Sequence, residues 1–176
     1  MSLEKPPAIL QPLISAEDLS QRIADLGKDI SDYYQNKDLI IMGALKGSFI
    51  FMADLVRQVS VNHTCEFVRV SSYRKKQSTG VVHLDFEMTQ SIEGKDVLLV
   101  EDIVDTGQTL MFLKKYLLEK KPASLKVCTL LYKQEVNTGI QKELDWVGFE
   151  IPNLFVVGYG MDYEGLYRHL PFVGTL

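Results

Sequence analysis

VLLVEDIVDTGQTLMFL, residues 97–113, is the stretch from which the architecture of the chain can be inferred. Its first four residues form a short apolar run with valine at both ends, which is typical of a strand buried on both faces of a sheet. Glu101 and Asp102 follow and are expected in a loop, and the small polar residues 105–109 lead into an amphipathic helix. Helical spacing predicts four core-facing leucines, Leu110, Leu113, Leu117 and Leu118.

This order of elements suits a phosphorylated sugar. The first N–H groups of a helix lack partners and carry positive potential, so they bind phosphate, and Gly107 lets the backbone approach it closely. Thr106 and Thr109 add hydroxyl donors, whereas Glu101 and Asp102 can accept hydrogen bonds from a ribose diol or hold a cation. The alternative is a solvated loop whose acids cap the helix. Three acids and a Thr-Gly-x-Thr sequence within nine residues favour the phosphoribose site.

Length and composition restrict the class of protein. The 176 residues fit one domain, and a 46% hydrophobic content is ordinary for a globular fold. The net charge of −4, with no basic cluster larger than residues 74–76, argues against nucleic acid or an anionic membrane as partner. Cys65 and Cys128 lie in apolar runs and are expected to be buried and reduced. Without a signal peptide or a long apolar segment, we expect a cytoplasmic location.

Two other segments of the sequence combine predicted strands with polar loops. The apolar strand 39–45 is followed by Lys46-Gly47-Ser48 and then a helical pattern, which offers a second anion site or, more simply, an ordinary turn between strand and helix. Residues 65–71 and 81–86 alternate like strands on either side of a polar segment. Taken alone, that segment is the solvated tip of a long hairpin.

Val97–Thr109 resembles, at every position, the thirteen-residue signature of type I phosphoribosyltransferases, which bind 5-phosphoribosyl-1-pyrophosphate. The resemblance runs from about Ser15 to the C-terminus, and its later segments are similar to family members that act on 6-oxopurines. It implies one α/β domain with a mainly parallel central sheet and helices on both faces. The core would span about 36–145, a lid loop about 72–82, and a small hood about 1–14 and 146–176.

The resemblance also implies roles for individual residues, with Asp105 as general base and Mg²⁺ held by Glu101, Asp102 and Asp162. The 5′-phosphate would be bound by Asp105, Thr106, Gly107, Gln108 and Thr109, and the ribose by Glu101 and Asp102. Pyrophosphate would be bound by Lys46, Gly47, Ser72, Tyr73 and Arg168, and the purine by Lys133, Phe155, Val156 and Asp162. In the family, the peptide bond at the lysine of the Leu-Lys-Gly loop is often cis.

Several alternatives stay open at this stage. A regulatory protein on the same fold would bind nucleotide without catalysis, and a transferase that prefers xanthine would share most of these motifs. A response-regulator receiver needs an acid pair near its first strand, which residues 39–45 lack. No Rossmann or Walker glycine motif is present. Family members form dimers or tetramers, so we expect a homo-oligomer that binds small-molecule substrates.

Overall fold

A computed structural model describes residues 11–72, 82–86, 88–136 and 138–176. The helices are α1 Ala16–Tyr33, α2 Phe49–Val56 and α3 Gln108–Glu119, with a 3₁₀ turn at Thr138–Glu143. The strands are β1 Gln11–Ile14, β2 Leu39–Leu45, β3 His63–Ser72, β4 Val82–Phe86, β5 Asp96–Val104, β6 Ser124–Lys133, β7 Trp146–Ile151, β8 Val156–Val157 and β9 Val173–Thr175. In the described ranges, no helix is both long and apolar enough to cross a membrane.

The central sheet has the strand order β4-β3-β2-β5-β6-β7, and all its neighbours are parallel except the antiparallel pair β3 and β4. One apolar cluster combines α1 and α2 with one face of the sheet, and a second combines α3 with the other face. Both clusters draw on alternate residues of β5, because successive side chains of a strand point to opposite faces. The α/β prediction with helices on both faces is confirmed.

The direction in which successive strands are added to the sheet reverses between the two middle strands, β2 and β5, which are parallel. From β2 the chain passes through α2 to β3 on one side, whereas from β5 it passes through α3 to β6 on the other side. Such a switch point leaves a crevice at the carboxyl ends of the two strands, where ligands bind in open α/β sheets. Here the crevice is flanked by Lys46-Gly47 after β2 and by residues 105–109 after β5.

Several expectations about local structure were wrong. Glu101 and Asp102 lie inside β5 rather than in a loop, because parallel pairing with β6 continues to Val104. Leu118 is 54% exposed, since the core-facing stripe of α3 needs only the other three leucines. Cys65 is exposed rather than buried, because it lies in β3, near the edge of the sheet.

The small region over the sheet is an antiparallel sheet of order β1-β9-β8. It joins the start of the described chain to the C-terminal strand β9. The expected boundary at residue 146 differs from the structure, because β7 pairs in parallel with β6 and therefore belongs to the central sheet. The predicted lid begins at the β3–β4 pairing of Ser72 with Val82, and residues 73–81 lie outside the described residues.

Candidate active site

Two adjoining cavities occupy the crevice at the switch point. One, of about 310 Å³, is lined mainly by residues 101–110 together with the end of β2 and Gly47. The other, of about 330 Å³, opens toward the C-terminal segment. Both are bounded by Gly47, Asp102, Ile103 and Asp105, so the two cavities form one continuous site.

The first cavity has the properties of a phosphate cradle. Gly107 caps α3 with a left-handed backbone (φ 79°), and its carbonyl accepts a 2.9 Å hydrogen bond from the N–H of Met111. A side chain there would also meet Ile140, because a Cβ atom would lie 2.7 Å from its Cδ1. The N-cap residue Gly107 makes no side-chain cap bond, and no acid lies in the first turn of α3. Among the described residues, the Gln108 N–H has a long 3.5 Å bond to Thr106 Oγ1. The N-terminal end of the helix can therefore offer N–H groups to an anion in the cavity.

Burial disfavours the ionised forms of the two acids of β5, Glu101 and Asp102. Burial raises the pKa of Glu101 well above its ordinary value, and the neighbouring Asp102 raises it further. Burial also raises the pKa of Asp102 to about 6, although two backbone N–H groups and Arg168 act in the opposite direction. Glu101 Oε1 is buried and has no hydrogen-bond partner among the described residues. An orphaned buried carboxylate oxygen of this kind fits a cation or a ligand hydroxyl group.

The loop after β2 packs tightly against these acids. A Cβ atom on Gly47 would lie only 1.6 Å from Asp102 Oδ2, so only glycine leaves room for the carboxylate. The peptide bond between Leu45 and Lys46 is cis. Ser48 begins the following turn, where its buried hydroxyl donates to the Ala44 carbonyl at 2.7 Å. Lys46 is exposed and lines the second cavity.

The second cavity collects the residues that the sequence assigned to the base. Lys133 is buried at the end of β6, and its Nζ lies 2.8 Å from Asp105 Oδ2. Phe155 is 55% exposed and contacts Tyr163 edge-on, with ring centroids 5.7 Å apart. Val156 is buried and pairs with Thr175 of β9. An open aromatic face beside a fixed ammonium group is suited to a planar heterocycle with a carbonyl oxygen.

Arg168 and Asp162 close the same cavity. Arg168 Nη2 lies 2.5 Å from Asp162 Oδ1, and its Nη1 donates to the Gly160 carbonyl at 2.5 Å. The other oxygen of Asp162 accepts from the Gly165 N–H at 2.7 Å. The guanidinium group is thus held by two partners at the mouth of the cavity, where it can face an anionic ligand.

Most of the predicted site residues therefore line one crevice. The exceptions concern the hairpin: Tyr73 lies outside the described residues, and only the backbone of Ser72 is described. Sequence reasoning missed Ile103, which borders both cavities, and Tyr163, which packs on Phe155. Tyr163 is the tyrosine of the Asp-Tyr pair in the C-terminal motif. The motif therefore marked its position, but no role was predicted for it.

Comparison with known proteins agrees with this geometry. The profile of the family described as Phosphoribosyl transferase domain matches residues 15–164. The chain belongs to the phosphoribosyl transferase domain family. A Mycobacterium avium hypoxanthine-guanine phosphoribosyltransferase is 44% identical over 97% of this chain and 87% of its own length. Residues 101–109 of the family signature therefore line the crevice at the switch point.

Solved structures show the same likeness in three dimensions. A Staphylococcus aureus hypoxanthine phosphoribosyltransferase superposes with a TM-score of 0.88 at 42% identity, covering 94% of this chain and 90% of that one. A Trypanosoma cruzi hypoxanthine phosphoribosyltransferase, solved with the product IMP, gives a TM-score of 0.87 at 38% identity and covers 98% and 97%. The chain thus has the fold of this enzyme family over nearly its whole length.

Proposed function

We propose that this chain is an enzyme of purine salvage that transfers the 5-phosphoribosyl group of 5-phosphoribosyl-1-pyrophosphate to N9 of hypoxanthine or guanine. The products are IMP or GMP and pyrophosphate. The supporting observation is the continuity of the two cavities, because it sets a phosphate cradle beside an aromatic and lysine-lined pocket. The relatives with similar sequences carry the names hypoxanthine and hypoxanthine-guanine phosphoribosyltransferase.

In the proposed reaction, the bond between ribose C1 and the pyrophosphate oxygen breaks while the bond from C1 to purine N9 forms. The purine loses one proton, which we assign to the carboxylate of Asp105. Lys133 would leave its ion pair with Asp105 to donate to the 6-oxo group of the base, with Phe155 stacked on the ring. This rearrangement would leave Asp105 free to accept the proton.

The leaving group would be bound on the side of Lys46, Gly47 and Arg168. Their positive groups and backbone dipoles would stabilise the charge that develops on pyrophosphate. Ser72 and Tyr73 remain candidates for the same role. The 5′-phosphate would lie against residues 105–109, and Glu101 and Asp102 would orient the ribose hydroxyl groups.

The donor set also fits Mg²⁺. Glu101 and Asp102 offer buried carboxylates, one with an unpartnered oxygen, and Asp162 is close enough to raise the pKa of Asp102. The described residues contain no group of three or more potential ligands around one point. That suits Mg²⁺, which keeps several waters and substrate phosphate oxygens among its ligands. When bound, Mg²⁺ would supply positive charge to the departing pyrophosphate.

Steady-state rates with hypoxanthine, guanine, xanthine and adenine, each with the phosphoribosyl donor and Mg²⁺, test the proposal. We expect nucleotide from hypoxanthine and guanine and little from adenine, because a 6-amino group cannot accept a hydrogen bond from Lys133. A highest rate with xanthine would favour a xanthine-preferring transferase. No product from any base would favour a regulatory protein on this fold.

We expect a homodimer or homotetramer, and sedimentation would measure the number of subunits. We also expect a cytoplasmic location.

A further inference from the structure

A hydrogen-bonded link joins α2 to the C-terminal segment outside the two cavities. The hydroxyl of Tyr159 donates to Asp54 Oδ2, and Asp54 Oδ1 pairs with Arg57, the residue that follows the last residue of α2. Tyr159 is only 7% exposed, and both burial and its bond to Asp54 raise the pKa of the phenol. It therefore stays a neutral donor at physiological pH. The three residues line a separate cavity of about 480 Å³, bounded by α1, α2 and residues 169–171.

Tyr159 is also tied by its backbone to the segment that carries Arg168. Its N–H donates to the Leu170 carbonyl at 2.9 Å, and the next N–H, of Gly160, donates to the Arg168 carbonyl at 2.9 Å. The Arg168 side chain returns to the Gly160 carbonyl through Nη1. Anchoring Tyr159 on α2 therefore fixes both the backbone and the guanidinium group of Arg168.

The segment that contains Gly160 also packs against the loop after β2. A Cβ atom on Gly160 would lie 2.2 Å from the carbonyl oxygen of Gly47, so the two backbones are in direct contact. Gly47 in turn contacts Asp102. The bond from Tyr159 to Asp54 thus supports a segment that packs against the Gly47 loop, and Gly47 and Arg168 line the same cavity.

The base-binding residues are held in a different way. Val156 and Val157 pair with Thr175 and Gly174 of β9, and the Leu176 N–H donates to the Phe155 carbonyl at 3.3 Å. These bonds do not involve Asp54 or α2. Loss of the link should therefore disturb one half of the site more than the other.

We propose that Tyr159 and Asp54 are positioning residues, whose hydrogen bond holds Arg168 and the Gly47 loop in register for pyrophosphate. The inference rests on the proposed assignment of those two groups to the leaving group. It adds that different contacts hold the two halves of the site. The hydrogen bond between Tyr159 and Asp54 positions the pyrophosphate-binding half, whereas pairing with β9 positions the purine-binding half.

The test compares Tyr159→Phe, Asp54→Ala and the double variant with the wild-type chain. We expect each single variant to weaken binding of pyrophosphate with Mg²⁺, measured by calorimetry, by about three- to tenfold. KM for the phosphoribosyl donor should rise similarly, whereas KM for hypoxanthine should stay within twofold. Tyr159→Phe and Asp54→Ala remove the same hydrogen bond, and Asp54→Ala also removes the pair with Arg57. The double variant should therefore lose no more than the larger single effect. Amide exchange at Tyr159 and Gly160 should accelerate, and exchange at Val173–Thr175 should not.

Tyr167→Phe is the matched control. Its hydroxyl is also buried, and it has no hydrogen-bond partner among the described residues, so removing it should leave pyrophosphate binding unchanged. Asp54 lies on an accessible part of α2 where alanine is a good helix former, so that variant keeps the test valid if Tyr159→Phe unfolds.

Normal pyrophosphate affinity in both single variants, or equal losses in Tyr167→Phe and in KM for the base, would overturn the inference. A wild-type chain that binds pyrophosphate but makes no nucleotide would instead contradict the proposed function alone.

Discussion

Asp105 is the residue on which the chemical step of the proposed reaction depends most, because it acts as the general base. It borders both cavities, and its carboxylate lies 2.8 Å from Lys133 Nζ. We predict that Asp105→Asn lowers kcat by about 10²- to 10⁴-fold, because the amide cannot take the purine proton. Asp29→Asn, an exposed change on α1, is the control. Unchanged turnover in Asp105→Asn would remove this residue from the role of base.

The buried carboxylate of Asp102 lowers the stability of the ligand-free fold above its pKa. Its pKa is raised to about 6, whereas an unfolded aspartate titrates near 4. Between these values the folded state binds more protons, so the free energy of unfolding decreases as pH rises. We predict that Asp102→Asn raises that free energy by about 1–2 kcal/mol at pH 8. The gain should shrink to about 0.5 kcal/mol or less near pH 4, where the carboxyl of the folded wild-type chain is neutral and that of the unfolded chain is about half ionised.

Urea unfolding of both proteins at pH 8 and pH 4, without ligand, measures this difference. Asp29→Asn again serves as the control for charge removal. A less stable Asp102→Asn at pH 8 would show that the ionised carboxylate of Asp102 is favourably solvated or paired, so that burial does not outweigh the attraction of its neighbours.

Among the elements, the loop between β2 and α2 has the least room for change. Because a Cβ atom on Gly47 would lie 1.6 Å from Asp102 Oδ2, Gly47→Ala must displace either the carboxylate or the loop. We predict a loss in kcat/KM on the order of 10²-fold, as expected when reacting groups shift by about 1 Å.

Gly94→Ala is the control for this element. Gly94 has a positive φ, of 71°, so alanine there should cost stability, but a Cβ atom would meet nothing within 4 Å. Comparing kcat/KM with the melting temperature of each variant separates the two effects. Full activity in Gly47→Ala would contradict the close contact between this loop and β5.

At the scale of the whole molecule, local pattern predicted more of the fold than of the contacts. The apolar runs 39–45 and 97–100 identified the two central strands, and the resemblance placed Lys133, Phe155 and Arg168 near one another. Strand periodicity could not show that β5 continues through Glu101 and Asp102, because that extension depends on pairing with β6.

Contacts between segments that are distant in the sequence could not be predicted from it. The bond from Tyr159 to Asp54 spans 105 positions, and the contact of Gly47 with Asp102 depends on how the loop after β2 meets β5 across the switch point. Neither has a periodic signal. The exposure of Cys65 likewise follows from the position of β3 near the sheet edge, which an apolar neighbourhood in sequence does not reveal.

A crystal structure of this chain with IMP tests most directly whether the two cavities form one nucleotide site. We predict the phosphate against the N–H groups of residues 106–109, the ribose hydroxyl groups at Glu101 and Asp102, and the base on Phe155 with its 6-oxo group at Lys133. IMP bound elsewhere, with residues 105–109 free of phosphate, would contradict the account.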